Sequence, residues 1–382
     1  MLRNERDREP HDPEHAGALQ EALPLLAALS TWGRGEPSAH RLPFREHQRW
    51  CFNALVTRKD RRPPLYAAID LGGTNVRAIV ADLDGNIAGE DIRESRAGEG
   101  LESVLRTMQD TLSAALQAGG VTLEDVQAVG IASPGAVDVV RGVVPEAPQL
   151  RGWKDVPLVR LMRERLGRPV YLANDATAAA LGENKFGAGR GTRHMLFLTV
   201  STGIGGGIII DGKVYEGANG SAGEMGHIVI DMDGPECGCG GHGCLEALAS
   251  GTAMARRGAA AVAAGEAPIL AGLSRREGPV TAEMMSRAAR EGEEFSRGVF
   301  RDTGHYLGVA LAGYVNIFNP ELILIGGGVA RAAELFMPIA EQTMRDLAMS
   351  EPLKHVRLGL GALADRAGSL GMIARLREQL SG

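Results

Sequence analysis

From Leu65 onward the hydrophobic pattern alternates between short apolar runs of strand length and longer runs with helical spacing. The first, LYAAI at 65–69, is uninterrupted, as expected of a strand covered on both faces. Gly72 and Gly73 break it, RAIVADL at 77–83 resumes it, and Asp84-Gly85-Asn86 then predicts a hairpin turn. The same strand–glycine–strand order returns at HMLFLTVSTGIGGGIIIDGKVYEG, residues 194–217, with its own Asp211-Gly212 turn. Two such units predict a duplicated α/β architecture with one unit in each lobe. Elsewhere the spacing is helical. Val104, Leu105, Met108, Leu112 and Leu116 predict an amphipathic helix from Glu102 to Ala118, and Ala176 to Phe186 opens another on alanines. An apolar-faced stretch from Met284 through Tyr314 precedes a strand at 321–329 (ELILIGGGV), and a helix from Ala367 to Leu380 closes the chain. Strands alternating with helices point to α/β layers.

Residues 1–64 read differently. They carry predicted helices at Glu14 to Trp32 and Arg45 to Arg58, a Gly/Pro loop between them, and a KDRRPP boundary at 59–64. They are an extension to a functional body at 65–382, whose length suits two lobes. Hydrophobic residues at 44% and charged residues at 23% describe an ordinary globular chain. The net charge of −6 argues against nucleic-acid binding as its main business. No run is long and apolar enough to span a bilayer, and the charged N-terminus does not read as a signal peptide, so a cytoplasmic location is expected. Glycine is the deviant entry: its 52 copies are about twice the usual share, so where it clusters matters.

The clusters fall at strand ends. Asp70-Leu71-Gly72-Gly73-Thr74 joins a carboxylate, two glycines and a hydroxyl, a set able to turn backbone N–H groups toward a polyphosphate while Asp70 holds Mg²⁺. Thr202-Gly203 opens a second glycine cradle; it precedes a strand, so a dinucleotide fingerprint is excluded. Gly326-Gly327-Gly328 forms a third, where backbone can approach a flat ligand. In YLANDATAAA (171–180) Asn174 or Asp175 caps a helix, or Asp175 serves as general base in phosphoryl transfer; the two readings are compatible.

The sharpest local signal is EMGHIVIDMDGPECGCGGHGCLE, residues 224–246. Of the four cysteines, three crowd into 237–244, which reads as metal ligation rather than a disulfide scaffold. His227, Cys237, Cys239 and Cys244 make a closed Cys₃His structural zinc set. His242 is a rival ligand but is crowded between cysteines. Closing this knot is expected to bring Glu224 and Glu246 together around His227, forming a hydrogen-bonding ring for a polyol.

With DLGGTNVR at 70–77, SPGAVD at 133–138, NDATAAALGE at 174–183, TGIGGG at 202–207, EMGH at 224–227, CGCGGHGCLEALASG at 237–251 and NPELILIGGG at 319–328, residues 65–382 resemble the ROK family, most closely its bacterial ATP-dependent glucokinases. The cysteine block with its following Glu is the most specific of these; DLGGT alone points only to the wider sugar kinase and actin superfamily. The resemblance implies an actin-like, ribonuclease H-like two-lobed fold: a small lobe at 65–173, a large lobe at 174–365 with the zinc segment, and a C-terminal helix (366–382) returning to the small lobe. It implies ATP, Mg²⁺ and a structural Zn²⁺, glucose phosphorylated at its 6-hydroxyl with Asp175 as base, and a dimer or tetramer. Sugar contacts are implied at Gly135, Asn174, Asp175, Glu224, His227 and Glu246. Phosphate contacts are implied at Gly72, Gly73, Thr74, Thr202 and Gly203, with Gly327 and Gly328 flanking adenosine. Two features depart from the pattern: Gln149 stands where the glucokinases carry Asn, and the extension is one that the kinases lack. Kinases for N-acetylmannosamine, fructose or allose are the near alternatives. A ROK repressor needs a winged-helix module, and the extension has room for only two helices.

Overall fold

The computed structural model describes residues 63–147, 149–218 and 220–380, so both helices predicted in the extension, and Cys51, lie outside the described residues. Pro63 to Gly382 forms one compact unit. Its first half is a five-stranded sheet of β1 (Leu65–Leu71), β2 (Asn75–Ala81), β3 (Ile87–Glu94), β4 (Val126–Ser133) and β8 (Val170–Asn174), in the order β3-β2-β1-β4-β8. The first three strands are antiparallel, while β4 and β8 run parallel to β1. Helix α1 (Leu101–Ala118) connects β3 to β4 and α2 (Leu158–Leu166) leads into β8. A small sheet of β5 (Ala136–Asp138), β6 (Val143–Glu146) and β7 (Lys154–Val156) is inserted after β4, and the hydrophobic pattern gave no sign of it.

Helix α3 (Asp175–Phe186) leads to a second five-stranded sheet. It contains β9 (Met195–Val200), β10 (Ile204–Ile210), β11 (Lys213–Val214), β12 (Leu322–Gly326) and β13 (Arg357–Leu360), ordered β11-β10-β9-β12-β13. The strand order repeats that of the first sheet, in keeping with the duplicated α/β architecture expected from the paired glycine units. Helices α4 (Leu245–Ala249), α5 (Gly251–Ala264), α6 (Pro268–Glu277), α7 (Ala282–Arg290) and α8 (Glu294–Phe318) precede β12; α9 (Met337–Leu347) and α10 (Ser350–Leu353) precede β13; α11 (Ala367–Leu380) ends the chain.

Strand parity explains the layers. Leu65, Ala67, Ile69 and Leu71 join the α1 core with Val104, Leu105, Met108 and Leu112. Tyr66 and Ala68 face the other way, onto Leu370, Met372, Ile373 and Leu376 of α11. Both faces of β1 are therefore covered, which accounts for its continuous apolar run. Likewise Leu196, Leu198 and Val200 of β9 meet Leu307, Leu311 and Val315 of α8, while Met195 and Phe197 meet Ala179, Ala180 and Leu181 of α3.

Two sequence boundaries move. The stretch from Met284 to Tyr314 is two helices, broken at Gly292 with φ of 103°. There the buried Glu293 accepts N–H bonds from Ile269 (2.8 Å) and Leu270 (3.0 Å). The strand expected over 321–329 stops at Gly326, because Gly327 takes φ of 87° and turns the chain into a 3₁₀ helix.

Candidate functional site

Parallel pairing aligns Asp70 with Ala132 and Ser133 with Asn174, so the carboxyl ends of β1, β4 and β8 bring Asp70, Gly135, Asn174 and Asp175 to one edge. Ligands of open α/β sheets collect at such edges. Asn174 is the helix cap: its Oδ1 accepts from Thr177 N (3.1 Å), and its Nδ2 donates to Gly135 O (3.1 Å). Asp175 is the first helical residue, with Oδ1 on the N–H of Ala176 (2.8 Å), and the cap does not need it. Gly135 has φ of 80°, and a Cβ there would collide with Glu146 O and lie 2.9 Å from Ala147 Cα.

Burial pushes the Asp70 carboxyl up to about 7; the neighbouring Asp175 adds to the rise and Arg77 opposes it. Burial likewise pushes Asp175 up to about 6, against the Ala176 N–H, with Glu224 adding to the rise. Paired, desolvated carboxyls are a donor set suited to a divalent cation or a transferred proton.

The three glycine turns differ in what they leave open. Gly73 and Thr74 are exposed, and Ser95 ties their carbonyls to the sheet through Oγ on Gly73 O (2.7 Å) and N on Thr74 O (2.8 Å). Gln149 abuts this turn, since a Cβ on Gly73 would lie 3.1 Å from Gln149 Cβ. In the second run the later glycines have a packing role. A Cβ at Gly205 would come 2.9 Å from Ala176 Cβ, and one at Gly207 would come 2.9 Å from Ala176 O, so these glycines seat α3 on β10. Gly203, at the start of the run, instead abuts the Glu246 carboxylate, whose Oε2 accepts from Ile204 N (2.8 Å). Gly327 passes close to Thr199, where a Cβ would lie 2.8 Å from Oγ1. Beside it a cavity of ≈150 Å³ is lined by Phe197, Ile325, Gly326, Ala330, Arg331 and Gly361. That is room for about one aromatic ring.

The sulfurs of Cys237, Cys239 and Cys244 and a ring nitrogen of His227 all lie within 4.8 Å of one another. His227 Nδ1 is 3.6 Å from Cys237 Sγ, and the Cys239 and Cys244 sulfurs are 3.7 Å apart. Tetrahedral zinc with bonds of ~2.3 Å to sulfur and ~2.0 Å to nitrogen separates its donors by ~3.5–3.8 Å, so the four residues fit that ion. His242 lies outside the cluster. The knot is closed by Val229 pairing with Cys244 and by Leu245 N donating to Ile228 O (3.0 Å), which brings Glu246 back beside the His227 turn. With Nδ1 turned to the thiols, Nε2 faces Glu224 Oε2 at 3.8 Å.

Two supporting residues escaped the sequence reading. Tyr314 of α8 donates its hydroxyl to Met225 O, anchoring the turn that carries Glu224 and His227, and burial pushes its pKa upward. The buried Glu183 receives N–H bonds from Ala188 (2.9 Å), Ala362 (3.0 Å) and Leu363 (2.8 Å), tying the segment after α3 to the one before α11. Acids three residues short of a helix end are common, and nothing nearby in sequence marks this one as buried.

The sequence pattern of the ROK family matches residues 66–379. The chain is 36% identical to a glucokinase of Thermotoga maritima over 315 residues, covering 82% of this chain and 98% of that protein. It is 34% identical over 310 residues to a putative xylose repressor of Caldicellulosiruptor, covering 81% of this chain and 77% of that one. The crystal structure of a ROK family glucokinase from Streptomyces griseus in complex with glucose and AMPPNP superposes with a TM-score of 0.73 at 34% identity, covering 82% of this chain and 99% of that one.

Proposed function

The chain belongs to the ROK family, and on that premise we propose that it is an ATP-dependent hexose kinase acting on the 6-hydroxyl of glucose, with Asp175 as general base. The observation that carries this reading is the position of Asp175. It stands at the carboxyl edge of the first sheet, relieved of capping by Asn174, with its pKa drawn toward neutrality by burial. There it accepts the proton of the attacking hydroxyl as that oxygen bonds to the γ-phosphorus and ADP leaves. Similarity to glucokinases over almost their whole length, one of them solved with glucose and AMPPNP, supports the substrate pair.

In this reading Gly135, Asn174, Glu224, His227 and Glu246 hold the sugar. Asn174 keeps one amide hydrogen beyond the one given to Gly135, Glu224 offers acceptors beside His227 Nε2, and Glu246 offers those left beyond its bond from Ile204 N. His227, Cys237, Cys239 and Cys244 hold a structural zinc, which supplies a rigid pin and a fixed imidazole tautomer. With Nδ1 engaged, Nε2 is an obligatory donor toward a hydroxyl. Gly72, Gly73, Thr74, Thr202 and Gly203 face the phosphates, and Gly327 and Gly328 the adenosine, whose base would enter the adjoining cavity in part. Asp70 holds the Mg²⁺ that accompanies ATP, and that ion supplies neutralisation of the phosphate charge. Cysteines held as metal ligands and not as disulfides suit a cytoplasmic location. Among the described residues no helix is long and apolar enough to cross a membrane.

A coupled ADP-release assay over glucose, fructose, allose, mannose and N-acetylmannosamine tests the substrate. Glucose should give the highest kcat/KM. A second sugar far ahead of it would overturn the glucose assignment, and Gln149, lying on the phosphate turn, is where such a shift would arise. The similarity to a xylose repressor supports a second reading as a regulator. A salt-sensitive electrophoretic shift of DNA without sugar-dependent ADP release would favour it.

A further inference from the structure

The C-terminal helix belongs to neither glycine turn nor the metal knot, yet it reaches the reacting edge. Parity along β1 turns Tyr66 and Ala68 onto α11, and Asp70 is the next residue on that face. Its carboxylate lies directly on the backbone of Gly368, in the first turn of α11. A Cβ at Gly368 would collide with Asp70 Oδ2 and stand 2.7 Å from its Cγ and 3.1 Å from Oδ1. One turn on, α11 crosses α3 backbone to backbone: a Cβ at Gly371 would overlap Ala178 O, and one at Gly182 would lie 2.9 Å from Gly371 N. The same helix is thus wedged against the carboxylate at the end of β1 and against the helix that begins with Asp175.

We infer that Gly368 is a positioning residue for phosphoryl transfer: by lacking a side chain it lets the Asp70 carboxylate lie flat on α11, in the orientation that receives the nucleotide's divalent cation. This rests on the kinase reading and on Asp70 as the cation's ligand. The two close glycines of α11 have separable roles. At Gly371 the obstacle is rigid backbone, so a methyl group there disrupts helix packing. At Gly368 the obstacle is the end of the Asp70 side chain and not backbone, so a methyl group displaces that carboxylate rather than the helix. A supporting group that orients a metal ligand typically accounts for 10–100-fold in metal affinity.

The test is Gly368→Ala in the full-length protein. Calorimetry with ADP, in the presence and absence of Mg²⁺, reads the cation's contribution to nucleotide affinity without turnover. The expected result is loss of that contribution by about 10–100-fold, with metal-free ADP affinity, glucose affinity and melting temperature close to wild type. In turnover, the half-saturating Mg²⁺ concentration should rise by a similar factor. Wild-type Mg²⁺ dependence in the Ala variant would overturn the positioning role while leaving the kinase reading intact. Failure of the wild type to turn over any sugar would instead overturn the kinase reading, and this inference with it. Should Gly368→Ala fail to fold, adding Asp70→Ala decides. Recovery of folding shows that the carboxylate is the group in contact, and persistent unfolding shows that Gly368 serves helix packing alone, which refutes the inference.

Discussion

Asp175→Asn should stabilise the ligand-free protein above neutral pH. Burial lifts the folded-state pKa from 3.8 to about 6, so the ionised form is held at a cost. At about 1.4 kcal/mol per unit, a shift of about two units corresponds to ~3 kcal/mol. The side chain is partly accessible, and solvent screening brings this down to roughly 1–2 kcal/mol. The amide forfeits a negative charge in the first turn of α3, worth ~0.5 kcal/mol, leaving a net gain of about 1 kcal/mol. Removing that charge also relieves Asp70, whose carboxyl Asp175 pushes up, and so adds in the same direction. The sign follows from the raised pKa. Below about pH 4 the carboxyl is protonated in both folded and unfolded chains and costs nothing; the cost grows from about pH 4 to about pH 6 and is complete above that. Urea unfolding of wild type and variant at about pH 8 and about pH 4.5 reads the effect. The variant should be the more stable at the higher pH, with the gap mostly closed at the lower one. A variant less stable at the higher pH would refute the reasoning, because that is the behaviour of a carboxylate whose role is to support the helix.

Three further outcomes follow from the geometry. Metal analysis of the purified protein should find one zinc per chain, and Cys239→Ser should lose it together with at least tenfold in glucose affinity; full glucose affinity in a zinc-free protein would separate the knot from the sugar. Gly135→Ala should cost roughly 2–4 kcal/mol in unfolding free energy, because the added methyl meets backbone at Glu146 and Ala147 from a positive-φ position; a loss below about 1 kcal/mol would contradict the clash. Glu183→Gln should cost about 2 kcal/mol, since in either orientation its NH₂ faces at least one of the N–H groups of Ala188, Ala362 and Leu363; unchanged thermal unfolding would show that these N–H groups find other acceptors.

What was legible in the sequence was local. The glycine interruptions at Gly72 and Gly203 mark the two strand–turn–strand units, and their likeness implies a duplicated α/β architecture, which the two five-stranded sheets display. The cysteine spacing picks out the four donors that the fold gathers, because those residues lie within a single knot of chain. Choices settled by distant partners were not legible. Whether Asn174 or Asp175 caps α3 depends on Gly135, which reaches Asn174 from another strand end. The packing role of Gly205 and Gly207 shows only when Ala176 is set against them. Tyr314, Glu183 and Gly368 act on residues 89, 179 and 298 positions away, and no periodicity encodes such separations. The break at Gly292 was missed because Met284 to Tyr314 keeps its apolar face on both sides of the interruption.

The central claim is that Asp175 removes the proton from a sugar hydroxyl. Measuring ADP release and glucose binding together on Asp175→Asn tests it most directly. The account predicts a fall in kcat of about 100–10,000-fold with a glucose Kd within a few-fold of wild type. A kcat within tenfold of wild type would contradict it.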